Sequence, residues 1–246
     1  MAGSTDKTTG KTTGKTTGKP LGKPVDGSGG DNRAASPGGM IVLDGADGAG
    51  KGTQCRLLQQ AMEAAGYRVL LTREPGGAPA AERIRGLLVE GEPGSLDAMT
   101  ELLLVYAARR DHLRQTIWPA IKQGKWVICD RFADSSRAFQ GIAGGVGLAN
   151  VERIHGIVVG TFSPDLTIIL DVGAEVGLGR ADARGGHENR FESKGLDYHR
   201  SVCEAFRQLA FRDPGGHVLI DAGQAVEQVA GLIASALRQR LGIRLP

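Results

Sequence analysis

Met40-Ile41-Val42-Leu43-Asp44-Gly45-Ala46-Asp47-Gly48-Ala49-Gly50-Lys51-Gly52-Thr53 decides the fold. Its first half is a short apolar run closed by Asp and Gly, the pattern of a buried strand. Its second half is glycine-rich and runs into Leu58, Ala61, Met62 and Ala65 at helical spacing. Strand, glycine loop and helix in that order make a phosphate cradle. The glycines let backbone N–H groups converge on phosphate oxygens, the helix N-terminus adds its dipole, and the lysine reaches the outer phosphates. Gly45, Ala46, Asp47, Gly48, Ala49, Gly50, Lys51, Gly52 and Thr53 are therefore the candidate nucleotide-phosphate residues. Gly10-Lys11-Thr12 and its repeats mimic the end of this motif, but no strand precedes them.

Working outward, further strand candidates are Arg68 to Thr72, Trp126 to Asp130, Leu166 to Asp171 and His217 to Asp221. Helix candidates lie between them, including Gly50 to Ala65 and the long stretch Leu96 to Lys122, interrupted at Pro119. Strands alternating with helices imply an α/β fold with a parallel sheet, whose ligands sit at the carboxyl ends of the strands. The expectation is a P-loop three-layer sandwich: a five-stranded parallel sheet with helices on both faces.

Before Met40 there is almost nothing to bury. Residues 1–39 repeat Lys-Thr-Thr-Gly and then trail into Gly, Pro, Ser and Asp, so this segment reads as a disordered low-complexity tail ahead of one domain at 40–246. Lys7, Lys11, Lys15, Lys19, Lys23 and Arg33 against Asp6, Asp26 and Asp31 account for the whole net charge of +3. The body is thus formally neutral, which speaks against a general nucleic-acid binder. No apolar run approaches the roughly 20 residues that span a bilayer, and no apolar secretory core opens the chain, so a soluble, cytoplasmic protein is expected. Cys55, Cys129 and Cys203 are far apart in sequence and read as buried free thiols.

Arginines stand at the next two strand ends. The second strand runs into Thr72-Arg73-Glu74-Pro75-Gly76-Gly77 and the third into Asp130-Arg131-Phe132, followed by Ser135-Ser136-Arg137-Ala138-Phe139-Gln140-Gly141. A planar, permanently charged guanidinium suits paired hydrogen bonds to an acceptor phosphate. Arg73 and Arg131 beside a phosphate loop are therefore read as acceptor ligands rather than surface ion pairs.

With these strings in place, the run from Met40 to about Ile233 resembles the bacterial kind of thymidylate kinase. The resemblance rests on Asp44 to Thr53, Thr72 to Gly77, Tyr106-Ala107-Ala108-Arg109-Arg110 with His112, Asp130 to Gly141, Pro164-Asp165-Leu166 and Ile220-Asp221-Ala222, in matching order and separation. It implies transfer of the γ-phosphoryl of ATP to dTMP, with Mg2+, in a homodimer that packs long helices such as Leu96 to Val105. It further implies that Asp47 meets the deoxyribose 3'-hydroxyl and that Arg73 and Arg131 hold the dTMP phosphate. Arg109 would lie on the base and phosphate side, and Ser136 and Gln140 on the pyrimidine edge. Asp130 would organise water and magnesium near the transferred group.

After the fourth strand, Arg180-Ala181-Asp182-Ala183-Arg184-Gly185-Gly186-His187-Glu188-Asn189-Arg190 carries arginines into a polar, glycine-rich loop, read as a lid at about 180–195. In another kind of thymidylate kinase the catalytic arginine sits in the P-loop, at the position held here by Gly48. A lid arginine is then required, Arg184 first and Arg190 second, with Arg180 beside the ATP. The catalytic set becomes Lys51, Asp130, Arg131, Arg184 and Arg190.

This chain departs from the family pattern at three places. Gly52 replaces the hydroxyl residue that usually follows the P-loop lysine, as in adenylate kinases, leaving Thr53, Asp130 or water to meet the metal. Val105 stands where a Phe usually stacks on thymine, and Phe139 where a Tyr is usual; both remain candidate dTMP contacts. These departures keep two alternatives in view: a kinase for another nucleoside monophosphate, and a catalytically weak nucleotide-binding P-loop protein. A GTPase switch is disfavoured because no Asn-Lys-x-Asp string occurs.

Overall fold

In β1 (Met40–Asp44) every side chain is buried, and neighbours go to opposite faces of the sheet, as strand geometry requires. Ile41 and Leu43 pack with one apolar cluster, Met40 and Val42 with another. The computed structural model describes residues 38–90, 94–183 and 194–246. β1 lies at the centre of a five-stranded sheet with β2 (Val69–Arg73), β3 (Trp126–Asp130), β4 (Leu166–Asp171) and β5 (His217–Asp221). The order is β2-β3-β1-β4-β5 and every pair is parallel.

One face is covered by α1 (Lys51–Ala64) and α9 (Val226–Leu241), through Leu58, Met62, Val229, Ile233 and Leu237. On the other face lie α3 (Ala98–His112), α4 (Trp118–Lys122) and α6 (Leu148–Val158), through Leu102, Tyr106, Ala120 and Val151. α8 (Leu196–Arg212) adds Val202, Phe206 and Leu209 around Phe139 and Ile169. The three-layer α/β sandwich expected from the sequence is the architecture found. Burying each such Ile, Leu or Phe contributes about 1.5–3 kcal/mol, and the interior strands bury them almost without gaps.

The register positions the site. Arg73 pairs with Asp130, and Asp130 with Leu43, so the carboxyl ends of β2, β3 and β1 open onto one edge. That edge, beside the strand-order reversal at β1, is where such sheets bind ligands.

The stretch 96–122 does not break at Pro119. A π-helical turn, Leu113–Ile117, precedes α4, and Pro119 sits in α4's first turn, where a missing N–H costs least. A second π-helical turn, Arg137–Ala143, follows the short α5 (Ala133–Ser136) and carries Phe139 and Gln140. Among the described residues, the other helices are α2 (Pro79–Val89) and α7 (Ala174–Asp182). All three cysteines are free and buried, as expected. Among the described residues, no helix is long and apolar enough to cross a membrane.

Candidate active site

The site begins where β1 ends. Asp44 is wholly buried, and its carboxylate accepts from the backbone N–H of Gly45, Phe132 and Ser135 at 3.1, 3.2 and 3.1 Å and from the Ser135 hydroxyl at 2.6 Å. Burial lifts its pKa to about 6, against the pull of Arg131. One side chain thus ties the P-loop to the turn after β3. Within the loop, Gly48 has φ +72° and lies against Gly177; a Cβ there would overlap the Gly177 carbonyl. No side chain, arginine included, fits at that position without moving backbone.

Lys51 opens α1 and is buried, its ammonium donating to the carbonyls of Gly45 at 3.1 Å and Ala46 at 2.7 Å. Burial, and then Arg131, lower its pKa to about 8. Arg131 itself has φ +72°, a left-handed conformation that costs a branched or long residue about 1–2 kcal/mol and often marks a functional position. The strained backbone aims its guanidinium at the loop. Nη1 donates to the Gly45 carbonyl at 2.8 Å and to Ser135 Oγ at 3.0 Å, and Nη2 meets Asp47 Oδ1 at 2.5 Å. The group lies over the Phe139 ring, 5.0 Å from its centroid.

The opposite wall comes from α3, capped by Asp97, which accepts from Met99 and Thr100 N–H. Glu101, Val105 and Arg109 recur every fourth residue, share one helix face and are all buried. Arg109 donates to Glu74 at 2.7 Å, to the Phe132 carbonyl at 2.9 Å and to Ser136 Oγ at 3.1 Å, and stacks 4.4 Å from the Tyr106 ring centroid. Burial opposes its charge, but Glu74 more than offsets this and the pKa is raised. Its Nη1 is buried with no partner among the described residues. Glu74 also meets His112 Nδ1 at 3.1 Å, and His112 Nε2 meets Thr72 Oγ1 at 2.7 Å.

One cleft collects most of the residues named from the sequence. It is lined by Asp47, Gly48, Gly50, Lys51, Gly52, Arg73, Val105, Arg109, Asp130, Arg131, Ser136, Phe139 and Gln140. Gly45, Ala46 and Ala49 form the loop behind it. Thr53 is exposed outside the cleft, with its hydroxyl 3.5 Å from Arg56. Arg180, on α7, donates to the Ala222 carbonyl at 3.0 Å, away from the lining. Arg73 is half-exposed and ion-paired with Glu82 at 3.1 Å. Arg184 and Arg190 lie outside the described residues.

A phosphate loop with a buried lysine, an arginine pair at adjacent strand ends and a deep polar wall have the chemistry to bind phosphorylated ligands. The thymidylate kinase family model matches residues 43–233. This chain belongs to the thymidylate kinase family. Family relatives include the thymidylate kinase of Rhodopseudomonas palustris (strain ATCC BAA-98 / CGA009), 49% identical over 83% of this chain and 90% of that protein. The Caulobacter vibrioides (strain ATCC 19089 / CIP 103742 / CB 15) thymidylate kinase is 47% identical over 84% of this chain and 99% of its own length. The crystal structure of the Ehrlichia chaffeensis thymidylate kinase superposes with a TM-score of 0.66 at 31% identity, covering 82% of this chain and 99% of that one.

Family membership leaves the local departures to the structure. Val105 is buried and offers the cleft a smaller apolar contact than a ring would. Phe139 has no hydroxyl, and packs 6.1 Å from Phe206 and 6.5 Å from Tyr198, ring centroid to centroid. Glu74, His112 and Asp44 carry no role legible in the sequence, because most of their partners lie far along the chain. The sole local sign was a carboxylate or imidazole inside an otherwise apolar or arginine-bearing string.

Proposed function

We propose that this protein transfers the γ-phosphoryl of ATP to dTMP, giving dTDP and ADP for dTTP synthesis. The observation that carries the reading is the convergence of Lys51, Arg131, Arg73 and Arg109 on one cleft at the ends of β1, β2 and β3. The backbone of Gly45 to Gly52 and the Lys51 ammonium would hold the ATP phosphates, Lys51 leaving its present carbonyl partners to do so. Arg73 and Arg131 would hold the acceptor phosphate, and Asp47 the sugar hydroxyl. Arg109, fixed from behind by Glu74, would direct its unpartnered Nη1 to the acceptor. Little more than alignment and charge is needed, since the transition state is loose and the acceptor phosphate is already anionic.

The residues present fit a magnesium ion. A Cβ on Gly52, the position that usually carries the metal-binding hydroxyl, would lie 3.6 Å from Asp130 Oδ2, so an oxygen donor faces the vacated place. Magnesium commonly binds through one carboxylate plus substrate phosphates and waters, which matches a lone Asp130. When bound, the ion would neutralise charge on the phosphate oxygens. Thr53, turned to solvent, is the weaker ligand.

The lid arginines, Arg184 first and Arg190 second, complete the reading as the source of positive charge on the migrating phosphoryl, with Arg180 beside the ATP. A homodimer is supported by Met99 and Leu103, exposed at 37% and 53% one turn apart on α3, with Leu87 nearby in sequence on α2 at 61%. A formally neutral body supports an enzyme without nucleic-acid partners, proposed to work in the cytoplasm. A coupled ADP-release assay with ATP and magnesium, offering dTMP, dUMP, CMP, UMP, GMP and AMP in parallel, tests the function. Preference for dTMP is expected; preference for another monophosphate, or no turnover, overturns it.

A further inference from the structure

Glu101 has no solvent exposure, yet it stands one helical turn before Val105 on the face of α3 that borders the cleft. Among the described residues, its carboxylate accepts from both Lys194 and Gln140. Lys194 Nζ lies 2.9 Å from Oε1 and 3.2 Å from Oε2, and Gln140 Nε2 lies 3.2 Å from Oε2. An ionised carboxylate only accepts hydrogen bonds, so the Gln140 amide must turn its nitrogen toward Glu101. Its carbonyl is then left to the cleft, which Gln140 lines.

A parallel constraint acts four residues earlier. Ser136 Oγ receives an N–H from Arg109 at 3.1 Å, and a guanidinium only donates. The serine hydroxyl therefore keeps its proton for another acceptor. Together the wall offers an acceptor at Gln140 and a donor at Ser136. A pyrimidine with a proton on N3 and a keto group at C4 presents the complement. Cytosine, with a bare N3 and a 4-amino group, presents the reverse, and a buried polar group facing its own kind is left unpaired.

We infer that Glu101, its charge balanced by Lys194, is a positioning residue that fixes the polarity of the Gln140 amide and thereby makes the cleft select N3-protonated pyrimidines over cytosine. The inference rests on the dTMP kinase reading. Lys194 is itself anchored: its ammonium lies 5.0 Å from the centre of the Tyr198 ring, and the Tyr198 hydroxyl donates to the Phe139 carbonyl at 3.0 Å. The turn carrying Phe139 and Gln140 is thus held both from α3 and from the start of α8.

The test compares kcat/KM for dTMP, dUMP and dCMP in the wild type, Glu101→Gln and Lys194→Met, with folding checked by circular dichroism and melting. The near-isosteric Glu101→Gln supplies an amide that donates as well as accepts, so Gln140 is free to turn either way. In that variant dCMP relative to dTMP should rise at least tenfold, while dUMP relative to dTMP, both carrying the N3 proton, stays within twofold. An unchanged dCMP ratio in a folded variant, or dCMP and dUMP rising together as from a loosened pocket, overturns the inference. If Glu101→Gln does not fold, Lys194→Met decides: a severalfold rise in the dCMP ratio supports the positioning role, and no change removes it. A wild type that uses dTMP but discriminates less than tenfold against dCMP also overturns it, whereas a wild type inactive on dTMP defeats the underlying function instead.

Discussion

Arg131 and Asp47, 84 residues apart, close an ion pair of 2.5 Å that joins the end of β3 to the P-loop. The same guanidinium also donates to the Gly45 carbonyl, so the turn after β3 and the P-loop share one polar joint. In the proposed reaction an incoming acceptor phosphate would recruit this fork while Asp47 turned to the sugar.

Arg131→Lys tests that division of labour. A lysine keeps the charge but loses the planar fork and cannot serve Gly45, Asp47 and a phosphate together. The expected result is a fall in kcat/KM for dTMP of about a hundredfold, with the KM for ATP changing only severalfold. Steady-state kinetics with each substrate varied in turn would show it. Equal losses on both substrates would mean that Arg131 serves the P-loop alone.

Lys51 gives a pH prediction. Its pKa is lowered to about 8 by burial and by Arg131. Bound phosphates favour the ammonium over the neutral amine, so above this pH the complex must take up a proton that the free protein has lost. Affinity for ATP should be full below about pH 8 and decline as pH rises through it, by up to tenfold per unit. Titration calorimetry from pH 6.5 to 9.5 measures this. Lys51→Met should bind weakly and without that slope, and a slope that survives the substitution would assign it elsewhere.

Much of the fold was legible because β1, β3 and β4 are apolar on both faces, as strands buried between helix layers must be. The P-loop and the strand-end arginines were legible because their chemistry is local, a few residues after each strand. What escaped was non-local. Glu74 reads as a surface carboxylate until Arg109 and His112, 35 and 38 residues on, close around it. Glu101 reads as an ordinary helix-face charge until Lys194 reaches it from 93 residues away. The left-handed backbone at Arg131 has no sequence sign, since only glycine advertises that conformation.

Gly48 bears on the last prediction. Because a Cβ at this position would overlap the Gly177 carbonyl, the P-loop cannot supply an arginine to the transferred group. The proposed function takes this positive charge from the segment read as a lid, through Arg184 or Arg190. A contact made mainly in the transition state lowers kcat far more than it weakens substrate binding. Arg184→Ala should therefore cut kcat by a hundredfold or more, with dTMP and ATP dissociation constants within about threefold of wild type. Single-turnover kinetics beside equilibrium binding separates the two quantities. If Arg190→Ala shows that pattern and Arg184→Ala does not, the role passes to Arg190. If neither does, the charge is supplied from within the cleft, and Arg73, half-exposed at its rim, becomes the residue to substitute.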